Sequence, residues 1–195
     1  MGLNVKATLE SRHVVLRPFA VAHITPQYLT WLNDPEVNRY SRRFGLTTSE
    51  DDARRYIASL APGEVILRIE TPAHGHVGNI KYGPVDLSNS RADISILIGE
   101  RRVWGQGIAT AAIYLVARHL FGQRGLNRLE AGSANPAFLR VVAKLGWHIE
   151  GIQRSRVRVG DRLLDWTLVA QLRDEFVNFP ALDPVSAEPD AATSR

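Results

Sequence analysis

RVWGQGIAT, residues 102–110, places Arg-x-x-Gly-x-Gly between a β-branched apolar run and a long amphipathic helix. The preceding run, Ile94-Ser95-Ile96-Leu97-Ile98-Gly99, reads as a strand. Behind the loop, Ala109, Ala112, Ile113, Val116 and Leu120 recur at the spacing of one buried helical face. The two glycines therefore sit at a strand-to-helix turn. Lacking Cβ, Gly105 and Gly107 can take φ > 0 and leave N–H groups pointing outward. The first N–H groups of the following helix have no partner within it and lie at its positive end, so they favour a dianion such as a pyrophosphate. Arg101 and Arg102 add full charges beside them. A turn needing two glycines before a helix is also ordinary, so the hexad alone leaves a plain turn open.

The loop is not a nucleotide-binding P-loop, because no Lys-Ser or Lys-Thr follows the second glycine. It also lacks the third glycine of a dinucleotide fingerprint. A second segment, NPAFLRVVAKLGW at 135–147, reads as a helix with Asn135 as N-cap and Pro136 in the first position. Phe138, Val141, Val142 and Leu145 form its apolar stripe and Gly146 ends it. Together these two segments resemble the GNAT superfamily of acyl-CoA-dependent N-acetyltransferases. Its pyrophosphate loop is Gln/Arg-x-x-Gly-x-Gly/Ala, and its next helix runs from an Asn to Lys-Leu-Gly-Phe. WLNDPEVNRYS, DISILIGERRVWGQGIAT and EGIQRSRVRVGDRLLDW extend the resemblance from about Arg12 to Phe176. They resemble a branch that includes ribosomal-protein N-terminal acetyltransferases and enzymes acetylating nucleotide-linked amino sugars.

The resemblance implies an α/β GNAT fold: a mixed, mostly antiparallel six- or seven-stranded sheet, helices on both faces, and a splayed parallel strand pair. The splayed pair would be the Ile94 and Arg128 strands. It implies that acetyl-CoA, as acyl donor, contacts Leu97 and Ile98 on the strand. In the loop and helix start it would touch Arg102, Val103, Trp104, Gly105, Gln106, Gly107, Ile108, Ala109 and Thr110, and beyond them Asn135 and Lys144. A backbone N–H near Leu97 or Ile98 would serve the oxyanion. Asn135 can be a helix cap, and the resemblance adds a hydrogen bond to the pantetheine arm or its water. Trp31, Asn33, Tyr40 and Arg42 fall, with Asp34, in the segment that covers the acceptor in relatives, although a core Trp31 with solvated neighbours is equally open. The acceptor would be a small-molecule or peptide amine, and the resemblance leaves room for a homodimer.

Composition narrows the classes. At 195 residues with 45% apolar content, the chain suits one domain with a sizeable core. We read 1–179 as that domain, and the Pro-, Ala- and acid-rich 180–195 as a disordered tail. No run of about 18 apolar residues exists, and the first residues lack the apolar centre of a signal peptide, so a cytoplasmic protein without membrane insertion is expected. With no cysteine there is no thiol nucleophile and no thiolate metal site. The net charge is +4, and the only lysines are Lys6, Lys81 and Lys144. Arginine grips phosphate bidentately, so an Arg-rich surface fits anionic ligands. These arginines are scattered, without interleaved aromatics, which argues against nucleic acid as partner. His74 and His76 make a His-x-His pair, but no third ligand is placed by sequence, so no metal is expected.

Along the chain, strands are predicted over 13–17, 65–70, 76–82, 92–99, 128–132, 147–157 and 162–170, with helices over 24–32, from the hydroxyl and acidic residues at 47–51 through Leu60, and at the two segments above. Acetyl transfer to an amine needs a proton acceptor and an oxyanion donor. Asp93 matches a carboxylate often found at this strand position in the branch, and it shares a strand face with Ser95. It is the candidate base or amine anchor, with a structural hydrogen-bonded role as the alternative. Relatives often carry an acid in the Asn135 helix. Here those positions are Phe138 and Val142, so an acid is absent or comes from elsewhere, such as Tyr40 or Tyr114. The same departure leaves a catalytically silent acyl-CoA-binding or interaction module as the competing reading.

Overall fold

The computed structural model describes residues 8–183. Eight strands form one sheet in the order β1-β2-β3-β4-β5-β6-β8-β7. They are β1 Leu9–Glu10, β2 Val15–Pro18, β3 Val65–Thr71, β4 Gly75–Tyr82, β5 Arg91–Ile98, β6 Arg128–Ser133, β7 His148–Val159 and β8 Arg162–Leu172. Eight strands rather than six or seven arise because Leu9–Glu10 pairs with Leu16 and Val15, a bridge too short to show a period in sequence. Every strand pair among the described residues is antiparallel except β5–β6.

Strand alternation divides the core in two. Leu67 and Ile69, Ile80 and Tyr82, Ala92 and Ile94, and Leu129 and Ala131 bury on one face, beneath helices α3 (Ile108–Arg118) and α4 (Pro136–Lys144). Ile66 and Leu97 turn to the other face, beneath α1 (Pro26–Asn33) and α2 (Glu50–Ala58). Nine of the eleven residues of α3 are buried, so this helix is the spine of the larger core rather than a half-exposed one. It passes into a π-turn at His119–Gln123.

Local signals start each helix. The Thr25 hydroxyl accepts from Tyr28 N–H ahead of α1, Ser49 and Asp52 form a reciprocal capping box for α2, and the Asn135 carbonyl oxygen accepts from Ala137 N–H ahead of α4. The expected disorder from Pro180 does not hold for its first residues. Pro180–Leu182 is a 3₁₀ turn, and the Asp183 carboxylate accepts from the Tyr114 hydroxyl at 2.8 Å and pairs with Arg118. Phe176 and Phe179 pack on the Tyr114 ring, which supplies the apolar anchor that composition did not reveal. The rest of that expectation, 184–195, lies outside the described residues. Among the described residues, no helix is long and apolar enough to cross a membrane.

Candidate active site

The parallel pair β5–β6 is bonded through Arg91–Arg128, Ala92–Leu129 and Asp93–Glu130 and no further. Yet β5 continues to Ile98 and β6 to Ser133, so the strands part at Ile94 and Ala131 and open a V. On its other side β5 stays paired with β4 up to Ile98. Gly83 N–H donates to Asp93 C=O at 2.9 Å and Gly99 N–H to Val77 C=O at 3.0 Å. Odd-numbered residues of β5 therefore address β4, and the N–H and C=O groups of Ile96 and Ile98 point into the V. Leu97, named with Ile98 as a candidate, has its N–H turned to β4 and its side chain packed in the α1–α2 core. At the mouth, the Trp104 indole N–H donates to Ile98 C=O at 2.9 Å.

Beyond the mouth, Arg101–Val103 forms a 3₁₀ turn that sequence did not signal, Gly105 has φ 78° and Gly107 caps α3 at φ 80°. A Cβ built on either glycine meets nothing within 4 Å. Both glycines are there for backbone conformation and leave the surface of the turn open. The first amide bonded within α3 is Ala111, to Gly107 C=O at 3.0 Å, so the N–H groups of Ile108, Ala109 and Thr110 stand at the open, positive end of the helix. Gln106 closes the turn by donating to Arg102 C=O at 2.8 Å, and Arg102 is exposed and paired with Glu100 at 2.9 Å. Val103 is buried in the core beneath the loop. This set of donors fits a pyrophosphate, and the V fits an extended arm with amide groups of its own. Asn135 stands at the V's rim with its oxygen used as cap, which leaves its amide N–H₂ for a ligand. Lys144 lies exposed in the last turn of α4.

The floor of the V opens on the α1–α2 face into a cavity of 330 Å³. It is lined by Asp93, Ile94 and Ser95 of β5, Arg128, Glu130, Ala131 and Gly132 of β6, Glu150 of β7, and Trp166, Leu168 and Val169 of β8. A larger concavity, 530 Å³, is lined by α1 residues and Asp34 and includes no residue of the V. Asp93 lies on the floor of the smaller one. The residue is exposed to solvent at its outer edge while its inner side lines the cavity. Desolvation there and the neighbouring Glu130 carboxylate push its pKa up to about 6, against an opposing pull from the Lys81 ammonium. Glu130 is held by Arg91 at 2.9 Å and Arg128 at 2.9 Å, and Arg128 reaches on to Glu150 at 2.7 Å. Lys81, beside Ser95 in register, pairs with Glu64.

None of the four acceptor candidates lines this cavity. Trp31 is 5% exposed and packs edge-on to His76 at 5.0 Å, and a Cβ on Gly99 would lie 2.1 Å from its ring. It is core, supporting the end of β5. Asn33 accepts from Thr48 N–H at 2.7 Å and donates to Thr48 C=O at 3.0 Å, stitching the loop after α1. Tyr40 is half-buried under the Arg39 guanidinium, and Arg42 is exposed. The Tyr114 hydroxyl is committed to Asn178 and Asp183, away from the V. Val142 is buried and Phe138 packs on the core, so neither supplies a proton. His76 is enclosed by Phe19, Tyr28 and Trp31, and burial lowers its pKa. Among the described residues no group of three or more His, Cys, Asp or Glu could hold a metal ion. Sequence reasoning missed Glu130 and left Trp166 unassigned. The period of two on β6 and β8 was the available signal, but it needed the β5–β6 and β6–β8 registers to become a contact.

Residues 13–148 match the family model described as an acetyltransferase (GNAT) domain. Over 73 residues the chain is 37% identical to the Bacillus subtilis (strain 168) protein named Probable N-acetyltransferase YjcK; the match spans 36% of this chain and 40% of that protein's length. Among solved structures, a T. thermophilus protein assigned as an acetyltransferase superposes with TM-score 0.70 at 26% identity, covering 86% of this chain and 90% of the other. The spermidine N-acetyltransferase of Vibrio cholerae, in complex with CoA and spermine, has the same fold, with TM-score 0.73 at 17% identity over 85% of this chain and 99% of that one.

Proposed function

The chain belongs to the acetyltransferase (GNAT) family, and on that premise we propose that it is an acetyl-CoA-dependent N-acetyltransferase which transfers acetyl directly to a primary amine. The observation that carries this reading is the coincidence, around one V, of unpaired strand amides, an open glycine turn at a helix start, and a carboxylate with raised proton affinity. A protein that only bound acyl-CoA would have no need of the last.

Gly105, Gly107 and the N–H groups of Ile108, Ala109 and Thr110 hold the pyrophosphate, while the groups of Ile96 and Ile98 that face the V bond the arm and the acyl oxygen. Asn135 contributes its amide. Acetyl-CoA supplies an activated carbonyl whose sulfur leaves readily, since a thiol ionises near pKa 8.5. Asp93 receives the incoming ammonium, takes its proton above about pH 6 and leaves the nitrogen lone pair free to attack. The C–N bond forms to give a tetrahedral oxyanion held by the Ile96 and Ile98 amides; its collapse breaks the C–S bond, the departing CoA thiolate takes up the proton the nitrogen loses, and no residue becomes acylated. Glu130 and Glu150 are paired with Arg91 and Arg128, so the uncompensated charge of the cavity is that of Asp93, and it favours a cationic amine, on a protein N-terminus or small metabolite, over one carrying a diphosphate.

The test is calorimetric titration with acetyl-CoA, followed by thiol release over a panel of N-terminal peptides, polyamines and amino-sugar nucleotides. Saturable binding at micromolar ligand with turnover of a cationic amine is expected. No binding at hundreds of micromolar overturns the donor assignment, and binding with no turnover of any amine leaves the silent module as the correct reading.

A further inference from the structure

Gly132 sits on β6 with no steric need for glycine in its own backbone, since its φ is not among the positive ones. The reason lies across the sheet. A Cβ at Gly132 would stand 1.9 Å from Trp166 Nε1, 2.7 Å from Cε2 and 2.9 Å from Cδ1. Gly132 pairs with Leu168, so Trp166, two residues away on the same face of β8, leans diagonally over β6 and lays its pyrrole edge in the notch that the missing side chain leaves.

That notch adjoins the reacting centre. Asp93 is level with Glu130, the last bonded rung of β5–β6, so Gly132 is level with Ser95, one side-chain repeat into the V, roughly 6–7 Å further along. An acyl arm lying along β5 from the loop ends near the apex. Ahead of it the paired rung closes the way, and toward β8 the way passes over Gly132, where the indole stands. Leu168, paired with Gly132 and on the same face as Trp166, gives that end of the cavity an apolar wall.

We propose that Trp166, seated on Gly132, is a specificity-determining wall that limits the transferred group to acetyl. This rests on the acetyltransferase reading above. Within an apolar pocket each methylene changes discrimination by roughly 10- to 200-fold. Butyryl, two methylenes longer, should therefore be excluded by the wild type and admitted when the notch is emptied.

The experiment measures binding, independent of the acceptor, by calorimetry with CoA, acetyl-CoA and butyryl-CoA. We expect wild type to bind acetyl-CoA at least about tenfold more tightly than butyryl-CoA. In Trp166→Ala the ratio should fall at least severalfold, with CoA affinity unchanged. Should circular dichroism show that variant unfolded, Trp166→Phe serves in its place, with a smaller fall in the ratio expected. Equal binding of both thioesters by wild type, or an unchanged ratio in the folded variant, overturns the wall while leaving the acetyltransferase reading intact. Failure of wild type to bind any of the three ligands overturns both.

Discussion

Replacing Asp93 by Asn removes the proposed proton acceptor while keeping its shape, and the structure sets what should be lost. With its pKa near 6, Asp93 is roughly nine-tenths ionised at pH 7 and roughly one-tenth at pH 5. With acetyl-CoA saturating and acceptor limiting, wild-type kcat/KM for the acceptor should be half-maximal near pH 6 and fall about tenfold per unit below it. Asp93→Asn should lose this inflection and be slower by about 10²-fold or more at pH 7.5, with acetyl-CoA affinity unchanged. The neighbours give signed controls, since Glu130 raises the pKa and Lys81 lowers it. Glu130→Gln should move the inflection to lower pH, and Lys81→Met to higher pH. Stopped-flow or plate-based thiol release over pH 4.5–9 reads all four enzymes. An inflection near 6 that persists in Asp93→Asn, or neighbours that shift it the same way, would refute the assignment.

Gly107→Asp should leave the far-ultraviolet dichroism unchanged, because its side chain meets open space. The left-handed φ should cost about 1 kcal/mol, or roughly 2–4 °C in Tm, and acetyl-CoA affinity should drop by about 10²-fold or more through charge repulsion at the open turn; calorimetry showing near wild-type affinity would relocate the cradle. Gly99→Ala forces a Cβ into the Trp31 ring and should destabilise by about 1–3 kcal/mol, which urea unfolding with unchanged stability would disprove. Because the folded pKa of Asp93 is raised above its ordinary 3.8, its charge opposes folding above about pH 6 and ceases to as pH falls through that value. Differential scanning should therefore find Asp93→Asn equal to or more stable than wild type at pH 8, with any gain gone by pH 4; a lower Tm at pH 8 would argue that the carboxylate is structural.

How far sequence reaches into this molecule varies by element. β3 to β8 were legible because each is a run of six or more residues carrying β-branched or other apolar side chains between turn signals, and α4 because Asn135, Pro136 and Gly146 punctuate it. β1 has two residues and therefore no period, and the Pro180 segment hides its anchors in Phe176 and Tyr114, upstream of the composition that suggested disorder. The V itself followed from a resemblance, but its depth depends on a register that no local pattern encodes. Asp93 could be found from its own strand, whereas Glu130 becomes its neighbour only through β5–β6 pairing. Which alternative held for Trp31 could not be read from sequence for a related reason: a short helix with Tyr28, Trp31 and Leu32 does not announce which face is buried, and here all three are.

Backbone amides make the central assignment, and ¹H–¹⁵N NMR of the labelled protein titrated with acetyl-CoA observes them directly. Large shifts and new hydrogen-exchange protection are expected at Gly105, Gly107, Ile108, Ala109 and Thr110, together with Ile96 and Ile98. Leu97 N–H, already facing β4, should gain no protection. Saturating ligand that leaves the loop and the Ile96 and Ile98 amides unperturbed, or that protects a different surface instead, would contradict that assignment.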